Sequence, residues 1–246
     1  MSSAEKAMKI LKLLSENPYE IGVTELSNKM GYAKSGIHKL LSSLSKGGLV
    51  QQRENKKYSL GIGVYLLGKS YEENVGIEKF CKPYLAKLRN ITNENASFGM
   101  WISNNPVLVH REESNELVRV VGAIGGTRPI YASAIGKVLA AFQDEDIIRK
   151  KLMEEPITSF TPNTIVEPNK ILEEYKKIRK QGYSVSSEEY AMETIGVGAP
   201  IKDHSGKVWA AISLGAPKMR TSKSKIDKYI YLVTQTAEMI KKDLAI

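Results

Sequence analysis

A chain of 246 residues with 42% hydrophobic and 26% charged side chains is long enough for two globular domains and is not composed like a disordered or fibrous protein. Its single cysteine, Cys81, excludes an internal disulfide and a thiolate metal cluster. No stretch reaches the ~18–20 apolar residues that span a bilayer, and Met1-Ser2-Ser3-Ala4-Glu5-Lys6 puts charge where a secretory signal needs an apolar core, so the expected location is cytoplasmic with no membrane partner. The net charge of +9 invites a polyanion. Its distribution says more: residues 1–62 hold ten basic and five acidic side chains, and that basic N-terminus points to nucleic acid.

From Ala4 to Glu16, Ala7, Ile10, Leu11 and Leu14 fall on one face of a helix, which Asn17-Pro18 should end. Thr24–Gly31 reads as a short second helix, with Thr24 as its cap and Gly31 as its left-handed stop. After the turn Tyr32-Ala33-Lys34, Ser35–Lys46 is a third helix with a buried stripe at Ile37, Leu40, Leu41 and Leu44, ended by Gly47-Gly48. Two short helices around a glycine-containing turn match a DNA-binding helix-turn-helix. The stripe leaves Lys34, Ser35, His38, Lys39 and Ser42 pointing outward, as short polar and cationic groups suited to base edges and phosphates. Residues 49–60 read as two strands around the polar turn Glu54-Asn55-Lys56, a wing whose tip carries Arg53, Lys56 and Lys57 for phosphate or minor-groove contact. A small helical module that binds protein is the competing reading, and the basic outward face favours DNA.

Gly61–Tyr71 and Gly76–Ile91 are helical in pattern, with Pro83 expected to kink or restart the second. Beyond them, strands are expected at Ser97–Ile102, Val107–Arg111, Leu117–Ala123, Ile195–Ile201 and Val208–Leu214. Helices are expected at Ala134–Phe142, Asp144–Leu152, Val166–Gln181 and Ser224–Leu244, the last with a stripe from Ile226 to Leu244. Strand pairs interrupted by helices favour an α+β sheet with helices packed on it.

Several blocks resemble one family. Tyr131-Ala132-Ser133-Ala134-Ile135-Gly136-Lys137-Val138-Leu139-Ala140, Phe160-Thr161-Pro162-Asn163-Thr164-Ile165, Ile178-Arg179-Lys180-Gln181-Gly182-Tyr183, Glu188-Glu189, Gly198-Ala199-Pro200-Ile201-Lys202-Asp203, Ala210-Ala211-Ile212-Ser213 and Pro217 are similar, in order and spacing, to the sensor domain of IclR-family transcriptional regulators. Lys34-Ser35-Gly36-Ile37-His38-Lys39-Leu40-Leu41 and Tyr58-Ser59-Leu60-Gly61 resemble that family's winged domain, so the resemblance covers nearly the whole chain. It implies an α+β protein in three parts: a winged helix-turn-helix DNA-binding domain (1–61), a helical linker (62–75), and a GAF-like α/β domain (76–246) for effector binding and oligomerisation. The implied partners are a double-stranded DNA operator, a small organic effector, and further copies of the chain as a homodimer or dimer of dimers. No cofactor is implied. The implied effector pocket combines the turn at Ala134-Ile135 with positions Ser186, Gly196, Ser213 and Gly215, and Leu117 and Thr194 should line it.

Two departures stand out. Acid-binding relatives carry Asp, Cys and Ser where this chain has Ser186, Gly196 and Gly215, which points to a larger or less charged ligand, or to none. Gly36 stands where the family commonly has threonine, so base contacts do not carry over there.

The remaining motifs do not build an enzyme. Gly136-Lys137 lacks the glycine and the Ser/Thr of a phosphate loop, since Tyr131 and Val138 occupy those places. Ser43-Leu44-Ser45-Lys46 mimics a Ser-x-x-Lys nucleophile at the end of the recognition helix. His38, His110 and His204 are scattered, without metal-ligand spacing. Adjacent Glu188 and Glu189 would point to opposite faces of a strand and read as structural ion-pairing groups. Trp101 and Trp209 read as core. An enzyme in the C-terminal domain would have to use Ser133, Ser186 or Ser213, none with an evident base, so no catalytic residue and no metal site is expected.

Overall fold

The computed structural model describes residues 2–16, 18–120 and 124–243. The chain divides into two compact units, Met1–Gly76 and Ile77–Ile246.

The first unit opens with α1 (Ser3–Leu14), where Ser2 and Glu5 satisfy each other's backbone amides in a capping box. Helices α2 (Val23–Met30) and α3 (Lys34–Lys46) follow, with Gly31 ending α2 at a left-handed φ of 71°. Thr24 is not the cap: α2 begins at Val23 behind Gly22 and has no side-chain cap. α1 stops at Leu14, before Pro18 has any influence; Asn17 lies outside the described residues. Ile10, Leu14, Leu26, Ile37, Leu41, Val50 and Tyr58 close one core, with Leu40 partly buried at its edge. The antiparallel pair β1 (Val50–Gln52) and β2 (Tyr58–Leu60) forms the wing. Mutual hydrogen bonds of 2.9 Å between Ile21 and Tyr58 tie it to the helices. α4 (Ile62–Val75) closes the unit, extending past the expected Tyr71, and none of its residues is buried.

The second unit is a five-stranded antiparallel sheet in the order β4-β3-β7-β6-β5, made of β3 (Asn95–Ile102), β4 (Asn105–Glu112), β5 (Ser184–Ser187), β6 (Thr194–Lys202) and β7 (Val208–Pro217). Alternation along β6 decides the layers. Ile195, Val197, Ala199 and Ile201 join a core with α5 (Ile77–Thr92) and α9 (Lys223–Asp243). The opposite face carries α6 (Ala134–Ala141), α7 (Glu145–Glu154) and α8 (Pro168–Gln181), packed through Val138, Leu139, Ile148, Ile171 and Tyr175. α5 runs unbroken through Pro83. That proline sits on the exposed side, where solvent can take the carbonyl its missing N–H leaves over.

The expected strand Leu117–Ala123 is absent over residues 117–120, and residues 121–123 lie outside the described residues. Side chains rather than a ladder serve this loop: Asn95 accepts from the Ser114 amide at 2.7 Å and donates to the Val120 carbonyl, and Arg220 donates to the Val118 carbonyl at 2.7 Å. Ser184–Ser187, read from sequence as no element, forms edge strand β5, which pairs only with β6. The tail of the last expected helix, Leu244, falls outside the described residues.

Candidate DNA interface and effector cavity

On α3, burial of Ile37, Leu41 and Leu44 turns Lys34, Ser35, His38, Lys39 and Ser42 to solvent on one surface. No side chain caps the first turn of α3, so its leading amides are open to a phosphate oxygen. Lys6 of α1 lies over the Tyr32 ring at 4.2 Å, adding a cation beside that helix start that the sequence reading did not single out. In the wing, Lys56 takes a left-handed φ of 61° at the turn, and Lys56 and Lys57 are exposed. Arg53 is turned back: its Nε donates to Ser59 Oγ at 2.9 Å and lies 3.6 Å from a Glu20 carboxylate oxygen.

In the second unit a cavity of about 120 Å³ gathers Ala134, Ile135, Ser186, Thr194, Gly196, Ser213 and Gly215 in its lining. Leu117 is the exception. It is 97% exposed at the loop surface, so its expected place in the lining is corrected. Strand alternation puts Gly196 on the α6 side of the sheet, where a Cβ would stand 3.0 Å from the Ala134 Cβ. Glycine there lets the start of α6 sit directly on β6. Ser186 Oγ donates to the Ala132 carbonyl at 2.6 Å, and Ser133 Oγ donates to the Pro129 carbonyl at 3.0 Å while accepting from the Gly136 amide at 3.1 Å. These hydroxyls hold the turn that forms the cavity wall.

The sequence reading missed the charge of this cavity. Arg111 and Arg128 both line it, together with Asn95, Ser97 and Tyr190. Burial holds both guanidinium groups below the usual arginine range, and Arg128's charge lowers Arg111 further. Two desolvated cations favour an anion, so the expectation of a less charged ligand does not follow from the lining. Arg111 was visible on a predicted strand, but only the β3–β4 pairing and the chain's return after residue 124 bring it to Arg128.

Glu188 and Glu189 lie beyond the end of β5, not on a strand as the sequence suggested. Both are ion-paired. Lys137, 1% exposed, reaches both Glu189 oxygens at 2.9 Å, Glu174 at 3.0 Å and the Val185 carbonyl at 2.8 Å. Glu188 pairs with Lys218, which holds its carboxyl below the usual range. Burial pushes Glu189 above that range although Lys137 opposes the shift. Trp101 and Trp209 are partly buried against the two faces of the sheet and do not line this cavity. His110 sits between Glu78 at 3.4 Å and Glu112 at 3.1 Å. Among the described residues no cluster of three His, Cys, Asp or Glu could hold a metal ion, and no helix is long and apolar enough to cross a membrane.

A winged helix-turn-helix followed by a sensor-type α/β unit with a cationic cavity defines a one-component DNA-binding regulator. Comparison with known proteins agrees. Residues 3–54 match the IclR helix-turn-helix domain, and residues 69–242 match the bacterial transcriptional regulator IclR C-terminal domain. The chain is 30% identical over 241 residues to the HTH-type transcriptional regulator KdgR of Escherichia coli, covering 98% of this chain and 91% of that protein. Its fold is shared with an IclR transcriptional regulator from Alicyclobacillus acidocaldarius (TM-score 0.85, 22% identity, 98% and 97% of the two chains). It is shared also with an IclR homologue from Microbacterium hydrocarbonoxydans crystallised with 4-hydroxybenzoate (TM-score 0.81, 17% identity, 99% of each chain). The chain belongs to the IclR family, as a DNA-binding transcriptional regulator controlled by an effector in its C-terminal domain.

Proposed function

We propose that Lys34, Ser35, His38, Lys39 and Ser42 meet base edges and phosphates in the major groove, and that Lys56 and Lys57 hold the backbone from the wing. The observation that supports this is the single exposed face of α3, set by the buried stripe behind it. Arg53 has a smaller part, because Glu20 and Ser59 already occupy it. The effector is a small organic anion held between Arg111 and Arg128, with Ser186, Thr194 and Ser213 as polar neighbours and Gly196 and Gly215 as the floor. An acid ligand is also what the Microbacterium homologue carries. Ser133 and Ser186 are committed to backbone carbonyls, and among the described residues no histidine lines the cavity beside them or Ser213, which favours binding over turnover.

Control requires that the effector bind the DNA-bound and free states with different affinity. Titrating the protein–DNA complex with organic acids should change DNA affinity about 5- to 150-fold. A bound acid that leaves DNA affinity unchanged would sink this reading.

The working form is a dimer or a dimer of dimers, with residues 62–75 in the contact. Helix α4 carries Ile62, Tyr65, Leu66, Leu67, Tyr71 and Val75 exposed and buries nothing, and a helix of that length gains most of its stability from packing an apolar face. Glutamate at both Leu66 and Leu67 should shift sedimentation to the monomer mass and weaken binding to a two-half-site operator. An unchanged mass would remove α4 from the interface.

A further inference from the structure

Helix α4 starts backbone-to-backbone against the end of α3, the helix that faces DNA. We propose that this contact fixes the angle between the two helices, and that Gly63 thereby sets which spacing of two DNA half-sites a dimer can read. Gly63 is a positioning residue that acts through α3. The inference rests on the reading of α4 as the dimer contact.

The contact is built from main chain. α3 ends in Gly47-Gly48, where the Gly48 amide donates to the Ser45 carbonyl and the Leu49 amide to the Leu44 carbonyl, both at 2.9 Å. Gly48 holds a left-handed φ of 69°, which a side chain would strain. The chain returns through the wing, and the Gly61 amide then donates to the Leu49 carbonyl and the Gly63 amide to the Gly48 carbonyl, again at 2.9 Å. No side chain caps α4, so these two bonds serve amides that a helix start cannot pair within itself.

Steric room decides which residue stands there. A Cβ on Gly63 would come within 2.8 Å of the Gly48 carbonyl oxygen and 3.2 Å of that of Gly47, and one on Gly61 would overlap the Gly48 carbonyl. The three nearest atoms are backbone in each case, so no side-chain rotation relieves the clash and the root of α4 has to move. Alanine would be the better helix former in the first turn of α4; close approach to α3 is what glycine provides.

A small movement at this root is magnified. Helix α4, 14 residues and about 21 Å long, turns a tilt of roughly 10° into a displacement of about 4 Å at its far end, more than one base-pair step of ~3.4 Å. Half-sites lie one helical turn or a multiple of it apart, so such a displacement changes the spacing that both recognition helices can occupy at once.

The test uses duplexes selected from a random-sequence pool by the full-length wild-type chain. These are rebuilt with the spacer between half-sites changed by one and two base pairs, and as single half-sites. Wild type should prefer its selected spacer about tenfold over its neighbours, because DNA must deform to fit the others. Gly63→Ala should lose about tenfold on that spacer or shift its preference to another, with single half-site affinity unchanged. Gly22→Ala should keep the wild-type profile, because a Cβ there meets nothing. A wild-type profile in Gly63→Ala overturns the proposal, as does an equal loss on single half-sites, or the same shift in Gly22→Ala. If Gly63→Ala fails to fold, amide exchange of the wild-type chain decides. Protection of the Gly61 and Gly63 amides together with those of α3 supports the contact, and free exchange at either overturns it. Sedimentation of wild type separates the two levels. A monomer mass, or no spacing preference in wild type, fails the dimer reading and this inference with it. A dimer whose Gly63→Ala profile is unchanged fails this inference alone.

Discussion

Alanine at both Lys56 and Lys57 should weaken DNA binding on every sequence tested, by about tenfold for each charge-assisted hydrogen bond to phosphate that the substitution removes. The slope of log affinity against log salt should flatten by roughly one unit for each phosphate no longer neutralised, because every neutralised phosphate releases condensed counterions. The reason lies in the wing: both side chains leave an exposed turn held by the Arg53–Lys57 and Lys56–Arg53 backbone bonds of 2.8 and 3.0 Å, with no base-reading geometry required of them. His38→Ala and Lys39→Ala should behave differently. They sit on the exposed face of α3, and their removal should change the ranking of operator variants by about 1–3 kcal/mol per base read while moving the salt slope less. Arg53→Ala should do less than either, since Glu20 and Ser59 already hold that guanidinium. Filter binding at several salt concentrations on an operator series checks all three. Identical behaviour of the wing and α3 variants would refute this division of labour.

Lys137→Met should cost about 3–5 kcal/mol of stability, the usual consequence of removing one partner from a buried ion pair. Lys137 is a buried residue of α6 with Glu189 and Glu174 on its ammonium and Val185's carbonyl as a further acceptor. Methionine fills the same space but leaves Glu189 without its cation and Glu174 with only Lys177, at 3.9 Å. The pH dependence has a definite sign. Burial already holds the Glu189 carboxyl above its ordinary range, and losing Lys137 should raise it further. The charge penalty is therefore absent below the ordinary carboxylate range and grows as pH rises through the raised value. Denaturant titrations should show the deficit of Lys137→Met shrinking on acidification, and Lys137→Met/Glu189→Gln should recover part of it at neutral pH. A deficit that does not vary with pH would mean that packing, not charge, had been disturbed. This buried triad also explains why Gly136-Lys137 resembles a phosphate loop without being one: the ammonium is consumed inside the fold.

Local pattern determined the helices and most of the strands of this protein. The stripes of α3 and α9 and the alternation along β6 follow from periodicities of 3.6 and 2, which any half-buried helix or strand must show. The outward face of α3 was legible for the same reason, since once Ile37, Leu41 and Leu44 are buried their neighbours have only solvent to face. The resemblance placed seven cavity positions that the structure then brings around one space.

Other features came from contacts between residues far apart in the chain. Thr24 has good capping chemistry, yet α2 starts one residue earlier, because Ile21 bonds to Tyr58 on the wing and sets where the helix can begin. Leu117 and Val118 look like a strand, but the Asn95 and Arg220 side chains take up this loop's polar groups and leave Leu117 in solvent. β5 has one apolar residue among serines, so only its pairing with β6 makes it a strand. The electrostatic character of the cavity belongs to this second kind. Arg111 and Arg128 are ordinary surface-type residues in the linear chain, and it is the approach of their segments, with the desolvation that follows, that makes them two partly buried cations on one cavity.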